Sequence, residues 1–242
     1  WPLKDATGST RAVAAIGGQD LVLTGGSQPT WQGATLADGD GVVSIITPTQ
    51  LTSAASGTYG ASAAMSISGL FRPTVDLGVA TITKHFRAFQ SAGTRDMWIR
   101  QATSQTFSAS VSDGTSLLSA NGPASSAPAN AWAHVAATLS VSGGTGTLTV
   151  YVNGVAGTPA VGAMTWGTVD TARIEGDAAA MGMGQMSVFP AALSAAQVLE
   201  QSKAAAGTWA GETAAVRAAR LLTYIDPAPS LSTTGTFTST MS

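Results

Sequence analysis

The chain has 242 residues, a formal net charge of −2, and only 10% of its residues are charged. Lysines and arginines are scattered, so the clustered positive field that would hold nucleic acid or an anionic membrane is missing. Cysteine is absent, which excludes a disulfide framework and thiolate chemistry, and no apolar run approaches the ~20 residues of a membrane-crossing helix. From Trp1 to about Phe189 the pattern is short runs of period two broken by Gly, Pro, Asn and Asp. Strands are predicted at residues 20–23, 41–46, 64–71, 79–83, 97–100 and 106–111. Two more follow at 172–175 and 184–189, after a hairpin described below. Alanine is abundant, but within these runs it alternates with β-branched and aromatic residues, and that alternation favours strand over helix.

After Phe189 the texture changes. Ser194 followed by Gln197 three residues on has the spacing of a capping box, so a helix is predicted over 195–206 with Gly207 as its C-cap. A second helical stretch is predicted over 211–225, ended by Pro227 and Pro229. The Ser/Thr/Gly-rich residues 230–242 read as a linker or the start of another region. This gives an all-β antiparallel sandwich over 1–206 with a C-terminal helical extension over 207–242. A chain of this length buries roughly 70–75% of its unfolded surface, so it requires no metal or other cofactor to fold. Opening on Trp1 and ending on Thr240-Met241-Ser242, it carries the expectation of an internal piece of a longer polypeptide.

Residues 131–138 (Ala-Trp-Ala-His-Val-Ala-Ala-Thr) and 148–154 (Leu-Thr-Val-Tyr-Val-Asn-Gly) flank a Gly-rich turn and end in Asn-Gly. That is one antiparallel hairpin. The pair resembles the Trp-x-His-Val-Ala and Tyr-Val-Asn-Gly strands of laminin-G-like, concanavalin A-like lectin domains. The opening Trp1-Pro2-Leu3 and the Leu193-Ser194 exit segment are similar to the same family in the same order, so the resemblance covers about residues 1–206. It implies a jelly-roll sandwich of a kind that mostly binds, often glycans, and mostly does no chemistry. One departure is Leu70-Phe71, where many relatives carry a Trp. A second resemblance is carried by Gly211-Glu212, Arg217 and Arg220-Leu221-Leu222. These are similar to a segment of tail proteins from phages of actinobacteria.

Glycosidases on such a sandwich need two carboxylates near one another, and the chain has three Glu: 175, 200 and 212. Only Glu175 has an acid at strand spacing, Asp177, and its Gly- and Ala-rich context reads as a strand end. The two histidines, His85 and His134, are far apart and stand beside no nucleophile elbow; His85 reads as an exposed strand end. No catalytic residue is therefore expected. Asp38-Gly39-Asp40-Gly41 could place Asp38 and Asp40 on Ca²⁺, with Asp5, Asp113 or Asp177 from other loops; the plainer reading is a turn.

In the hairpin Val135, Ala137 and Leu139 share a face with Leu148, Val150 and Val152, and this face must point to the core. The alternate face holds His134, Ala136, Thr138, Thr149, Tyr151 and Asn153. Trp98 and Arg100 are expected to join it, because Met97 and Ile99 look core-facing. An aromatic ring beside hydrogen-bonding groups suits a sugar, so Tyr151, Trp98, Asn153, His134 and Arg100 are the candidate glycan contacts. The alternative is that the two rings are half-buried sheet residues under loops or another subunit. Trp132 reads as a structural anchor, while Trp31, Trp166 and Trp209 are loop residues among which the sequence does not choose.

The expected function is a non-catalytic lectin-like domain of a phage tail protein in the virion, for adsorption to host-surface glycans, tail assembly, or both. The partners would be a cell-surface glycan or other virion tail proteins, with self-association left open. The alternative is a carbohydrate-binding module of a secreted bacterial protein.

Overall fold

The computed structural model describes residues 11–12, 21–26, 30–35, 41–45, 49–53, 59, 63–73, 85–102, 106–126, 129, 131–176 and 181–205. Before residue 59 only backbone pairing is described, Thr52 excepted. The chain divides into two compact units, Trp1–Thr208 and Trp209–Ser242, and all described residues lie in the first. Its strands are β1 (Arg11–Ala12), β2 (Leu21–Gly26), β3 (Thr30–Thr35), β4 (Gly41–Ile45), β5 (Thr49–Ser53), β6 (Ala64–Pro73), β7 (Phe86–Phe89) and β8 (Asp96–Ala102). Then come β9 (Thr106–Ser112), β10 (Leu117–Asn121), β11 (Ala133–Ser142), β12 (Thr145–Val152), β13 (Val155–Ala156), β14 (Ala160–Ala163), β15 (Thr171–Gly176) and β16 (Met181–Phe189). Helix α1 is Ala195–Ala205.

Two antiparallel sheets result. Sheet A runs β1-β2-β5-β15-β7-β8-β9-β10, and sheet B runs β13-β12-β11-β6-β16-β4-β3, with β14 also pairing β12. Gly143 and Gly144 both have positive φ (55° and 76°), as a tight type I′ turn demands, and they set Leu139 opposite Leu148 and Val135 opposite Val152. Asn153 and Gly154 (φ 51° and 80°) make a second such turn into β13.

The inward residues of this hairpin, Val135, Ala137, Leu139, Leu148, Val150 and Val152, are buried as expected. Across the core lie Phe86, Met97, Ile99 and Phe107 of sheet A, with the Phe71 and Phe107 rings 5.4 Å apart. A bulge between Gly184 and Ser187 breaks the register of β16. Gln185 there takes φ 49°, and Met186 is buried in the core. Gly69 makes the room for it, since a Cβ at that position would overlap the Met186 sulfur.

Helix α1 starts on the expected capping box: Gln197 Oε1 accepts from the Ser194 N–H, and Ser194 Oγ accepts from the Gln197 N–H. Buried Ser66 on β6 pins the approach to it, donating to the Ala191 carbonyl (2.8 Å) and accepting from the Leu193 N–H (2.9 Å). The predicted strand 79–83, the Gly207 cap and the helix at 211–225 lie outside the described residues. Strands β1, β3, β5, β7, β10, β13 and β14 were not expected from the sequence.

Candidate functional site

The alternate face of the hairpin pairs as predicted, Ala136 with Tyr151 and Thr138 with Thr149. It is not open. Ala136 and Tyr151 pack with Leu193, Val198 and Phe189, and Leu70 packs with Trp132 and Ala205, so α1 and its lead-in segment roof the outer face of sheet B. Tyr151 is left 9% exposed and His134 6%. Asn153 works as a clamp: its Oδ1 accepts from the His134 N–H (2.9 Å), and its own N–H donates to the His134 carbonyl (2.8 Å). Burial drives the His134 pKa down to about 4, so the imidazole is neutral at neutral pH.

Trp98 and Arg100 do not join that face. They lie on β8, in sheet A, because β8 pairs with β7 and β9 (Phe86 with Ile99, Trp98 with Ser110) and not with the hairpin strands. The five candidate glycan residues are thus split between the outer sides of two different sheets. Alternation predicted correctly that Met97 and Ile99 face the core, where both are fully buried.

The outer face of sheet A carries two ordered rows. Trp98, Ser110 and Ser119 lie side by side across β8, β9 and β10, as do Arg100, Ser108 and Asn121. Ser108 and Ser110 are nearly buried, whereas Ser119 and Asn121 are exposed and Trp98 and Arg100 half-buried, which makes a trough floored by serines. Arg100 Nε donates to Ser108 Oγ (3.2 Å), and the Ser110 and Ser119 hydroxyls are 2.8 Å apart. No carboxylate among the described residues pairs with Arg100. Beside the trough, Arg87 grips Asp96 through Nε (3.2 Å) and Nη2 (2.8 Å). Arg87 and Arg173 both reach Glu175 Oε1, at 3.3 and 3.1 Å. Phe89 lies under both guanidinium groups, 4.1 and 5.0 Å from its ring centre. Thr52 Oγ1 accepts from Arg173 Nε.

Glu175 is therefore held by two arginines. Asp177, with Asp38, Asp40 and Asp5, lies outside the described residues. Asp113 closes its own loop: it accepts from the N–H groups of Thr115, Ser116 and Thr165 and from the Thr115 hydroxyl. Burial pushes its carboxyl up, but these donors, Thr165 foremost, outweigh it and leave the pKa well below the usual carboxylate range. Asp170 behaves alike: burial is outweighed by the Ser91 N–H, the Ser91 hydroxyl and the Thr171 hydroxyl. Glu200 pairs with Lys203. Among the described residues no three His, Asp or Glu gather as a metal site would need.

His85, expected at an exposed strand end, is instead fully buried. It stands just ahead of β7, whose Phe86 plugs the core, and its carbonyl accepts from the Glu175 N–H. Trp166 is a core residue and not a loop contact. Trp132 is the structural anchor expected, packed on Leu70 and close over Gly182. Trp31 sits in β3 with its side chain undescribed, and Trp209 lies outside the described residues. The trough serines were missed, although Ser108, Ser110 and Ser112 alternate with Phe107, Ala109 and Val111 in a legible two-residue period.

Residues 47–199 match the family model described as the concanavalin A-like lectin/glucanases superfamily. No curated protein matches the chain. Among solved structures it is similar to the botulinum neurotoxin type G receptor-binding domain (13% identity, TM-score 0.56, 77% of this chain and 48% of that one). It is also similar to a heptameric SAP-like pentraxin from Limulus polyphemus (15% identity, TM-score 0.50, 66% and 81%). A third likeness is to the botulinum neurotoxin serotype D ligand-binding domain in complex with N-acetylneuraminic acid (12% identity, TM-score 0.53, 72% and 44%). The chain spans about half the length of the toxin domains it matches, and likeness at this identity carries the fold alone. With a family match across more than half its length and two antiparallel sheets packed as a sandwich, the chain belongs to the concanavalin A-like lectin/glucanase superfamily.

Proposed function

We propose that this is a non-catalytic lectin-like domain that holds a glycan on the outer face of sheet A. The observation that carries the reading is the trough itself: the part-exposed Trp98 ring, Arg100 two residues on, and the Ser110, Ser119 and Asn121 polar groups beside them. An indole covers the C–H face of a pyranose while neighbouring donors and acceptors orient its hydroxyls. Arg100, held at Nε by Ser108, keeps its remaining donors for the ligand. The face needs no metal or cofactor.

Absence of chemistry is supported by the carboxylates. Each one described is engaged by an arginine, a lysine, or hydrogen-bond donors of its own loops; Asp96 and Glu175 come near one another as joint partners of Arg87, not as a free acid and base flanking a substrate. A place in a phage tail is supported by the sequence pattern of Gly211 to Leu222, and a glycan ligand by the likeness to part of the serotype D ligand-binding domain, which was solved in complex with N-acetylneuraminic acid. Trp98→Ala should abolish sugar binding on a glycan array, with at least roughly a tenfold loss of affinity, and leave the circular dichroism spectrum unchanged. Undiminished binding in this variant removes the proposed face.

A further inference from the structure

At the open end of this trough, between the end of β10 and the segment joining β13 to β14, lies a groove of about 780 Å³. Its walls include Ser119, Asn121, Pro123 and Ala124 on one side and Thr158 and Pro159 on the other. Among the described residues no charged side chain lines it. Its floor is set by direct backbone contact: a Cβ on Gly157 would overlap the Asn121 carbonyl oxygen and crowd Gly122. Gly122 N–H is tied to the Phe107 carbonyl, and Gly157 N–H to the Val150 carbonyl. Both walls are thereby fastened to core strands, one from each sheet.

Ser119 and Asn121 belong to the groove and also to the two trough rows, opposite Ser110 and Ser108. Two strand spacings separate Trp98 from Ser119, about 10 Å, which leaves room for more than one sugar ring before the groove begins. Its volume falls within the roughly 300–1,000 Å³ of small-molecule sites. The lining mixes exposed hydroxyl and amide groups with proline and alanine surfaces, the mixture that hydroxyls and C–H faces of a neutral sugar require. A carboxylate entering it would find no cation among the described lining residues to replace its lost hydration.

We infer that the groove lined by Ser119, Asn121, Thr158 and Pro159 is a second subsite, which takes the continuation of a glycan chain seated at Trp98 and selects uncharged sugar units there. The inference rests on the Trp98 reading. It makes the ligand an extended oligosaccharide or polysaccharide, laid across the strands, and not a terminal monosaccharide.

The test is an array of gluco-, galacto-, manno- and rhamno-oligosaccharides in matched lengths, with uronic-acid counterparts, probed with the intact chain. Wild type should bind a neutral hexasaccharide at least roughly tenfold more tightly than the disaccharide of the same sugar. Thr158→Trp fills the groove and should erase that gain while disaccharide binding persists. Ala124→Trp, from the opposite wall, should do the same, so a folding defect in one variant leaves the other to report. Trp98→Ala should lose both lengths. Disaccharide binding with no gain on lengthening, a gain that survives both groove variants, or a larger gain for the uronic-acid series would overturn the subsite and leave the Trp98 reading standing. No binding of any sugar by wild type, short or long, would overturn the Trp98 reading and the subsite with it.

Discussion

On the outer face of sheet B, His134, Tyr151 and Leu70 lie beneath α1 and Trp132, whereas on that of sheet A, Arg87, Trp98 and Arg100 are each part-exposed. Both faces are built by the same alternation and both carry polar and aromatic groups. What separates them is the segment that follows the last strand. Ser66 holds the turn at Ala191–Leu193, the capping box starts the helix there, and Val198 is brought down on Tyr151 and Ala136. Polar side chains beneath that roof become packing and clamps, while in the trough Trp98 and Arg100 stay part-exposed and Ser119 and Asn121 exposed. An outward strand position is thus a surface position only when nothing later in the chain lies over it.

The largest effect that bears on this contrast is expected from Tyr151→Ala. Removing a ring packed between β12 and α1 should lower stability by about 3–5 kcal/mol in urea unfolding and leave sugar affinity at Trp98 unchanged. A cost below about 1 kcal/mol, or lost binding, would mean the roof is loose or the ring is a contact after all.

Acidification should come next. Burial lowers the His134 pKa from 6.5 to about 4, so between those values the unfolded chain carries a proton that the folded chain excludes. The stability that depends on the neutral form is full above pH 6.5 and declines as the pH falls towards 4, by on the order of 3 kcal/mol. Measured against His134→Gln, the pH dependence of unfolding should be steeper in wild type across that window. Parallel curves would contradict burial of the imidazole.

Arg87→Ala should cost less, about 2 kcal/mol, because Asp96 and Glu175 lose a partner but are not fully shielded from water. Adding Asp96→Asn should restore part of the loss. A change within about 0.5 kcal/mol would class the network as an ordinary solvated surface pair. Trp98→Ala should affect stability least of these, since its side chain is only part-buried, and binding most.

Much of this fold was legible because local rules carried it. Gly143-Gly144 and Asn153-Gly154 fixed the hairpin, period two sorted Val135 from His134, and Ser194 with Gln197 announced the helix. The family resemblance placed these in a sandwich, and the matched family bears that out. The site was less legible, for a physical reason. Alternation says which residues turn inward within a sheet, but which sheet a strand joins is decided by distant pairings such as Ala133 with Phe71 and Phe86 with Ile99. Hence Trp98 was grouped with Tyr151, though both sheets and the core between them stand in the way. Edge strand β10 was missed because Leu117 is exposed and its inward signal comes only from Leu118 and Ala120. With it went Ser119 and Asn121. His85 was misjudged because nothing local distinguishes a charged run at a strand end from one whose imidazole is drawn inside.

The methionines of the core have a chemical consequence. Met65, Met97, Met164, Met181, Met183 and Met186 are all shielded from solvent, so peroxide reaches their thioethers only when the two layers part. Sulfoxide formation then becomes a clock for opening. At Met186 the added oxygen would have to fit the notch that Gly69 leaves for a bare sulfur, and a polar S=O group has no place in an apolar interior. Each oxidised molecule would close less well than before, which makes damage of this domain self-accelerating and its shelf life a readout of how tightly the layers stay shut.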